Sequence, residues 1–306
     1  MRSVSTRAFA GFSDVALVQD VARRAWPSMW HPGGLGWALA RSGLAERIML
    51  LLREDRPIGW AGADRSGATA AQIDPNDGRD AHLLVEWCLG ATHAERLEVS
   101  LSDHDVGLVA AFGRAGFEVR SDLDPIVGMF RAAHEPPSPP RCPPGYSIRA
   151  TTPGEVTARV EAHRAAWLPS ALPWHPEHRP DQAPAETSSY DLVAHEQVTR
   201  TALYDLDLDL VVEASDGSLV GCCIVWVDPR LGVAEIEPLG IHPSHRRKGL
   251  AGALCYEAVA RVARRGGSEV FINTGPRTAY PAPAAAYARA GFAVRALGRR
   301  YRLERG

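Results

Sequence analysis

AFGRAGFEVRS, residues 111–121, and AYARAGFAVRA, residues 286–296, agree at seven of eleven positions. One of the differences is chemical: Phe112 in the first copy is Tyr287 in the second. Outward from this phrase, three further anchors recur in the same order. RRAWPSMWHP (23–32) stands beside RAAWLPSALPWHP (164–176), LLLREDRPIGWAGA (50–63) beside LVVEASDGSLVGCCIV (210–225), and IDP (73–75) beside IHP (241–243). The middle pair reads as apolar strand, polar turn, apolar strand, which is a hairpin signature. Four anchors in one order mark an internal duplication. Between the copies, AAHEPPSPPRCPPG (132–145) carries six prolines. Proline removes backbone donors and fixes φ, so neither helix nor central strand is expected there. The reading is two domains, 1–131 and 146–306, joined by a linker at 132–145.

Bulk properties agree with two soluble cores. The chain has 306 residues, 45% hydrophobic and 23% charged, with a formal net charge of −2. Such a length suits two domains of about 150 residues each. No global basic field is present to hold a nucleic acid backbone. Cys88, Cys142, Cys222, Cys223 and Cys255 show no CxxC spacing, so neither a metal site nor a disulfide framework is expected, and a reducing cytoplasm is. Asp14 and Asp20 interrupt the first apolar run, and no later stretch is long enough to span a membrane.

In the second half the pattern predicts strands at 146–150, 209–214, 219–227, 233–241 and 268–274, with two more in FAVRA and RRYRLER. It predicts helices at 155–167, about 190–201, 248–265 and 281–290. The fold class is therefore a mixed α/β layer. The loop HPSHRRKGLAGAL (242–254) lies between a strand and a helix. Gly249, Ala251 and Gly252 let a ligand approach the backbone, and the unpaired N–H groups of a helix start favour an anion. Arg246, Arg247 and Lys248 add charge, and Leu250 follows. The bland alternative is a basic helix start with small residues for packing. No GK[ST] follows and the dinucleotide fingerprint is absent.

The run Arg246-Arg247-Lys248-Gly249-Leu250-Ala251 resembles the [RQ]-x-x-G-x-[GA] acetyl-CoA loop of the GCN5-related N-acetyltransferases (GNAT). EIEPLGIHP is similar to that family's fourth strand and AYARAGF to its last helix. The resemblance covers 146–306 directly and 1–131 through the repeat, so it implies two tandem GNAT-like folds. It implies acetyl-CoA as acyl donor and direct attack by an amine. Tyr287 matches the tyrosine that protonates the departing thiolate; the alternative is an aromatic that only packs. The resemblance makes Glu237, on the strand before the loop, the first choice for the base, and Glu235 is the second, since period two puts both on one sheet face; the alternative is a solvated pair. The resemblance also implies that backbone groups along Leu239, Gly240 and Ile241 meet the pantetheine arm. Asn273 either meets the same arm or ends a strand. The segment NTGPRTAYPAPAAAY departs from the family by its length and prolines.

The resemblance implies acceptor contacts at the 168–190 loop, where Trp167, Trp174 and His175 give aromatic and titratable character. The alternating Asp205, Asp207 and Asp209 read as one face of a strand, either an attractor for a cationic amine or a solvated edge. In the first half, Asp77 and Asp80 fall where a diphosphate would lie, and Phe112 lacks the hydroxyl. Trp26, Trp30, His31 and Trp37 read either as a cleft lining or as core. The expectation is an N-acetyltransferase with its chemistry in the second half, acting on the primary amine of a small molecule. It is expected to use no metal, nucleic acid or membrane, and to be a monomer or loose homodimer. A non-catalytic acyl-CoA-binding or partner-binding module is the alternative, and O-acylation differs only in the acceptor.

Overall fold

The computed structural model describes residues 3–41, 47–133, 142–168, 172, 188–275, 278 and 280–305, without the side chain of residue 41. They form two compact units. One comprises Met1–Gly128 with Ala296–Gly306, the other Met129–Arg295. Each unit is thus completed by the last strand of the other sequence copy.

In the first unit, strands β1 (Val4–Ala8), β2 (Ile48–Arg53), β3 (Arg56–Ala63), β4 (Ala68–Ile73) and β5 (Arg96–Ser102) lie side by side in that order. β1 to β4 pair antiparallel, and β4 and β5 pair parallel. Helices α1 (Val15–Ala25), α2 (Pro32–Arg41), α3 (Ala81–Ala91) and α4 (Val106–Arg114) cover the sheet. β2 shows why its sequence, IMLLLR, is apolar throughout. Leu50 and Leu52 belong to a core with Val18, Val21 and Trp60, while Met49 and Leu51 belong to another with Leu84, Leu108 and Phe112. Alternate side chains face opposite sides, so a strand covered on both needs apolar residues at every position. The β2–β3 hairpin turns on Glu54 and Asp55, both with positive φ of 48° and 64°, the geometry that a two-residue turn demands. The tryptophan cluster of this half is largely core: His31 is fully buried, Trp37 nearly so, and Trp30 packs edge-on against Trp60 with ring centroids 6.5 Å apart.

In the second unit, β8 (Tyr146–Ala150), β9 (Asp209–Ala214), β10 (Leu219–Asp228) and β11 (Val233–Ile241) pair antiparallel in sequence order. β12 (Glu269–Thr274) pairs parallel to β11, and β7 (Ile126–Ala132) flanks β12. The helices are α5 (Val156–Ala166), α6 (Leu192–Thr199), α7 (Leu250–Arg264) and α8 (Ala282–Arg289). The duplication is visible in the caps. Asp74 accepts the amide of Asn76 at 3.1 Å, and His242 accepts that of Ser244 at 3.2 Å, each opening a short 3-10 turn after its strand.

Two expectations change. FAVRA and RRYRLER are one strand, β13 (Ala293–Glu304), whose Gly298–Glu304 segment pairs with Ser102–Arg96 of β5. The short β6 (Glu118–Val119) also pairs with it. Nor do the three aspartates share a strand face. Residues 206–208 form a 3-10 turn, Asp205 and Asp207 meet Arg265 at 3.1 and 3.5 Å, and only Asp209 enters β9. There Asp209 is fully buried, accepting from Nε of the equally buried Arg159 at 2.6 Å and from the Tyr204 hydroxyl at 3.1 Å. A buried pair of this kind is no lure for a solvent cation. Most of the proline-rich segment lies outside the described residues.

The 296–304 strand brings Tyr301 and Leu303 to the first unit's core, and Arg302 Nε to Glu98 at 2.7 Å. Truncation after Arg295 is expected to lower stability by at least about 3 kcal/mol, since two large side chains and a whole ladder are lost. Chemical denaturation against the full chain measures this, and an unchanged midpoint would contradict the assignment of the strand to that core.

Candidate active site

The site in the second unit begins with a fork. β11 and β12 pair only at Val233↔Glu269, Ala234↔Val270 and Glu235↔Phe271. Beyond Glu235, β11 runs on to Ile241 and β12 to Thr274 without that ladder. On its other side β11 carries a bulge. The register passes from Leu239↔Cys223 to Ile236↔Val225, so β11 holds one residue more than β10. Pro238 lies inside this step. Proline has no N–H to give a ladder and is tolerated in a strand interior at such an interruption. The indole of Trp226 donates to the carbonyl of Glu237 across it.

Glu237 lies within the bulge and Glu235 before it. Glu235 is 2% exposed, at the base of the fork, and accepts from Asn273 Nδ2 at 3.2 Å. These two side chains therefore hold each other. Glu237 is half-buried at the bulge. Tyr287, on α8, is 7% exposed. Burial pushes its phenol well above the ordinary value, and Cys255, Glu237, Tyr280 and Cys223 lie near enough to add to the shift. No hydrogen bond ties down its hydroxyl among the described residues. The fold thus brings Tyr287 and Glu237, distant in sequence, into electrostatic contact. Cys223 and Cys255 beside them are fully buried, and desolvation raises both thiols, Cys255 to about 12. They are neutral packing groups at ordinary pH.

The loop after β11 has the backbone of an anion cradle. Arg247 and Gly249 have φ of 63° and 82°, and α7 starts at Leu250. Left-handed residues before a helix start lie beside the positive end of its dipole, where free N–H groups favour an anion. Space is open over Gly252, and nothing closer than 3.9 Å would meet a Cβ at Gly249. Ala251 lies in the first turn, partly exposed. The charged residues divide their roles. Arg246 turns back, its Nε donating to Ile241 O and its Nη2 to Ala166 O, each at 3.2 Å. Arg247 and Lys248 are exposed.

Trp167 lies against Gly240. A Cβ there would come within 2.0 Å of the indole, so only glycine lets the ring reach the strand. His163 stacks on the other side of Trp167, with centroids 4.4 Å apart and planes 9° from parallel. Trp174 and His175 lie outside the described residues, as does most of the 168–190 loop. No group of acidic, histidine or cysteine side chains able to hold a metal ion occurs among the described residues. None of their helices is long and apolar enough to cross a membrane.

The corresponding place in the first unit is built differently. Residues 75–80 run as a 3-10 turn straight into α3, with no left-handed residue in the step. Its aspartates are paired rather than bare. Arg53 bridges Asp77 and Asp80, Arg56 reaches Asp77 at 3.0 Å, and Arg24 reaches Asp74 at 2.8 Å. Burial alone would raise the Asp74 carboxyl, but the Asn76 amide, with Arg24 and Arg56, holds it below its ordinary value. Phe112 is fully buried, edge-on to Phe117 with centroids 4.9 Å apart. The aspartates that stand where a diphosphate would lie are thus ion-paired with arginines of the β2–β3 hairpin. Sequence reading missed Arg53 and Arg56 because only the fold carries the hairpin to that turn.

Residues 168–292 match the model of the acetyltransferase (GNAT) family. With the repeated architecture, these likenesses give the chain a tandem GNAT-like fold and support acetyltransfer as its activity. The family uses acetyl-CoA as acyl donor. In sequence the chain is similar to a mycothiol acetyltransferase of Saccharomonospora viridis, 29% identical over 231 residues, which is 70% of each chain. In fold it is similar to a GCN5-related N-acetyltransferase from Sphaerobacter thermophilus, with a TM-score of 0.60 and 21% identity over 98% of this chain and 95% of that one. It is also similar to a tandem GNAT protein from the clavulanic acid biosynthesis pathway, with a TM-score of 0.62 and 17% identity over 100% and 99%.

Two substitutions test the geometry. Gly240→Ala is expected to displace Trp167 and to cost about 1–3 kcal/mol by overpacking, read by denaturant unfolding and tryptophan fluorescence. Asp74→Asn tests the neutralised turn. A carboxyl depressed on folding stabilises the protein above its unfolded value, near 3.8, and that contribution disappears as pH falls through the folded value. The variant is therefore expected to be less stable at neutral pH and to lose less stability on acidification, as followed by thermal unfolding across pH.

Proposed function

We propose that the protein transfers the acetyl group of acetyl-CoA to the primary amine of a small molecule by direct attack, with the chemistry confined to the second half. The backbone from Arg246 to Gly252 would hold the diphosphate, and the free edge of Leu239–Ile241 the pantetheine arm. Bound there, acetyl-CoA supplies an activated thioester. Glu237, half-buried at the bulge, accepts the proton that the amine gives up as its nitrogen bonds to the carbonyl carbon, directly or through one water. Tyr287 donates its proton to the sulfur as the carbon–sulfur bond breaks. Glu235 and Asn273, bonded to each other, keep the base of the fork in place. Trp167 forms one wall, beside the backbone of Gly240.

The observation that carries this reading is the buried Tyr287 phenol, protonated at ordinary pH and electrostatically coupled to Glu237. The first copy offers Phe112 and an ion-paired turn instead, which supports a first half without acyl-CoA chemistry. Similarity to a mycothiol acetyltransferase supports a small-molecule acceptor.

Tyr287→Phe is expected to lower kcat by about 10²-fold or more while leaving acetyl-CoA affinity unchanged, as read by thiol release and calorimetry with an amine panel. Full turnover in this variant would remove the phenol from the mechanism. The pH dependence has a definite sign. A general acid must be protonated, and this one stays so as pH rises to its ordinary value of 10.0; the phenol is therefore expected to impose no basic limb below that value. Calorimetry of the whole protein with acetyl-CoA is expected to give one site per chain, and two sites would overturn the silent first half.

A further inference from the structure

Tyr146 opens β8, the strand that follows the proline-rich segment, and lies outside the stretch that matches the family model. Its hydroxyl meets two residues of the loop after β11: Lys248 Nζ at 2.9 Å and His245 Nδ1 at 3.0 Å. One hydrogen-bond direction follows from chemistry. An ammonium only donates, so Tyr146 accepts from Lys248, while the donor between its hydroxyl and Nδ1 of His245 is set by the imidazole tautomer. The rings of Tyr146 and His245 stand edge to face at 5.8 Å, and the ammonium lies 5.5 Å from the Tyr146 ring centre. Tyr146 itself is fixed by the β8 ladder opposite Ala214 and by its amide, which donates to Pro143 O at 3.1 Å.

His245 and Lys248 bracket Arg246 and Arg247. Arg246 is anchored inward on Ile241 and Ala166. Arg247 has φ of 63°, and among the described residues Glu54 and Asp55 of the first-unit hairpin are the other non-glycine positions with positive φ. Such a conformation is strained for a residue with a Cβ and persists where its surroundings hold it. We infer that Tyr146 is a positioning residue of the acetyl-CoA cradle: by clamping His245 and Lys248 together it keeps Arg247 left-handed and the loop amides exposed to a diphosphate. The inference rests on the acetyl-CoA reading of this loop.

The test is a cycle between Tyr146→Phe and Arg247→Gly in the full chain, with calorimetric Kd for acetyl-CoA, KM and kcat, and thermal unfolding. Tyr146→Phe is expected to weaken acetyl-CoA binding roughly tenfold and to raise KM alike, with kcat and the unfolding temperature unchanged. The strain released offsets the hydrogen bonds lost. Arg247→Gly, which adopts positive φ freely, is expected to remove the effect: in that background Tyr146→Phe leaves Kd the same. Equal losses in both backgrounds would mean that Tyr146 acts through charge or direct contact, and would overturn the inference. So would an unchanged Kd in Tyr146→Phe alone. If the unsubstituted protein fails to bind acetyl-CoA, the reading of the loop itself is overturned and the inference falls with it.

Discussion

The second unit depends on one failure of pairing. A parallel pair of strands that stayed in register would leave no room for a ligand between them, and its backbone groups would be consumed by the ladder. β11 and β12 separate after Glu235↔Phe271, and the extra residue beside Pro238 bends β11 as it leaves. The freed edge exposes unpaired peptide groups, which are costly when left without partners. An extended ligand arm with its own amides offers such partners. The loop, Tyr287 and Trp167 are all placed by reference to that fork.

Around it the charges are distributed economically. Arg246 secures the loop to Ile241 and Ala166, while Arg247 and Lys248 face solvent. The buried ionic pair of the unit, Arg159 with Asp209, lies on α5 and β9, where Tyr204 shares the carboxylate. The first unit has the same early end to its parallel ladder, with β4 and β5 paired at Ala68↔Glu98 and Thr69↔Val99, but the turn beyond β4 is occupied. Its hairpin arginines complete the aspartates of the turn, and its aromatic counterpart to Tyr287 is a hydrocarbon among hydrocarbons. Duplication kept the frame in both copies, with Phe112 in the first where the second has Tyr287.

The two units share a further dependence. The last strand of each sequence copy completes the other unit: Gly298–Glu304 pairs with β5, and Phe130 in β7 packs against Phe271 at 5.0 Å. Cutting the chain at its proline-rich segment would therefore separate sequence copies without separating folded units.

Much was legible from the residues alone. Period two and period 3.6 located β8, β9, β10, α7 and α8 within a residue or two, because their apolar faces are buried as the pattern demands. The phrase around Gly291 and the loop around Gly249 identified the second half, because left-handed turns and anion-binding helix starts restrict composition locally. What sequence could not fix is every feature that depends on a partner far along the chain. The exchange of final strands left no local trace, since a strand's periodicity is the same whichever β-strand it meets. Asp209 read as surface because Arg159, fifty residues earlier, is what allows it to be buried. Glu235 was the second choice to Glu237 for the base, and its burial against Asn273 depends on a strand nearly forty residues on. The sequence determined the elements, the duplication and the chemistry available. Tertiary structure decided which groups meet, because hydrogen bonds, ion pairs and strand pairing are set by distance in space and not by distance along the chain.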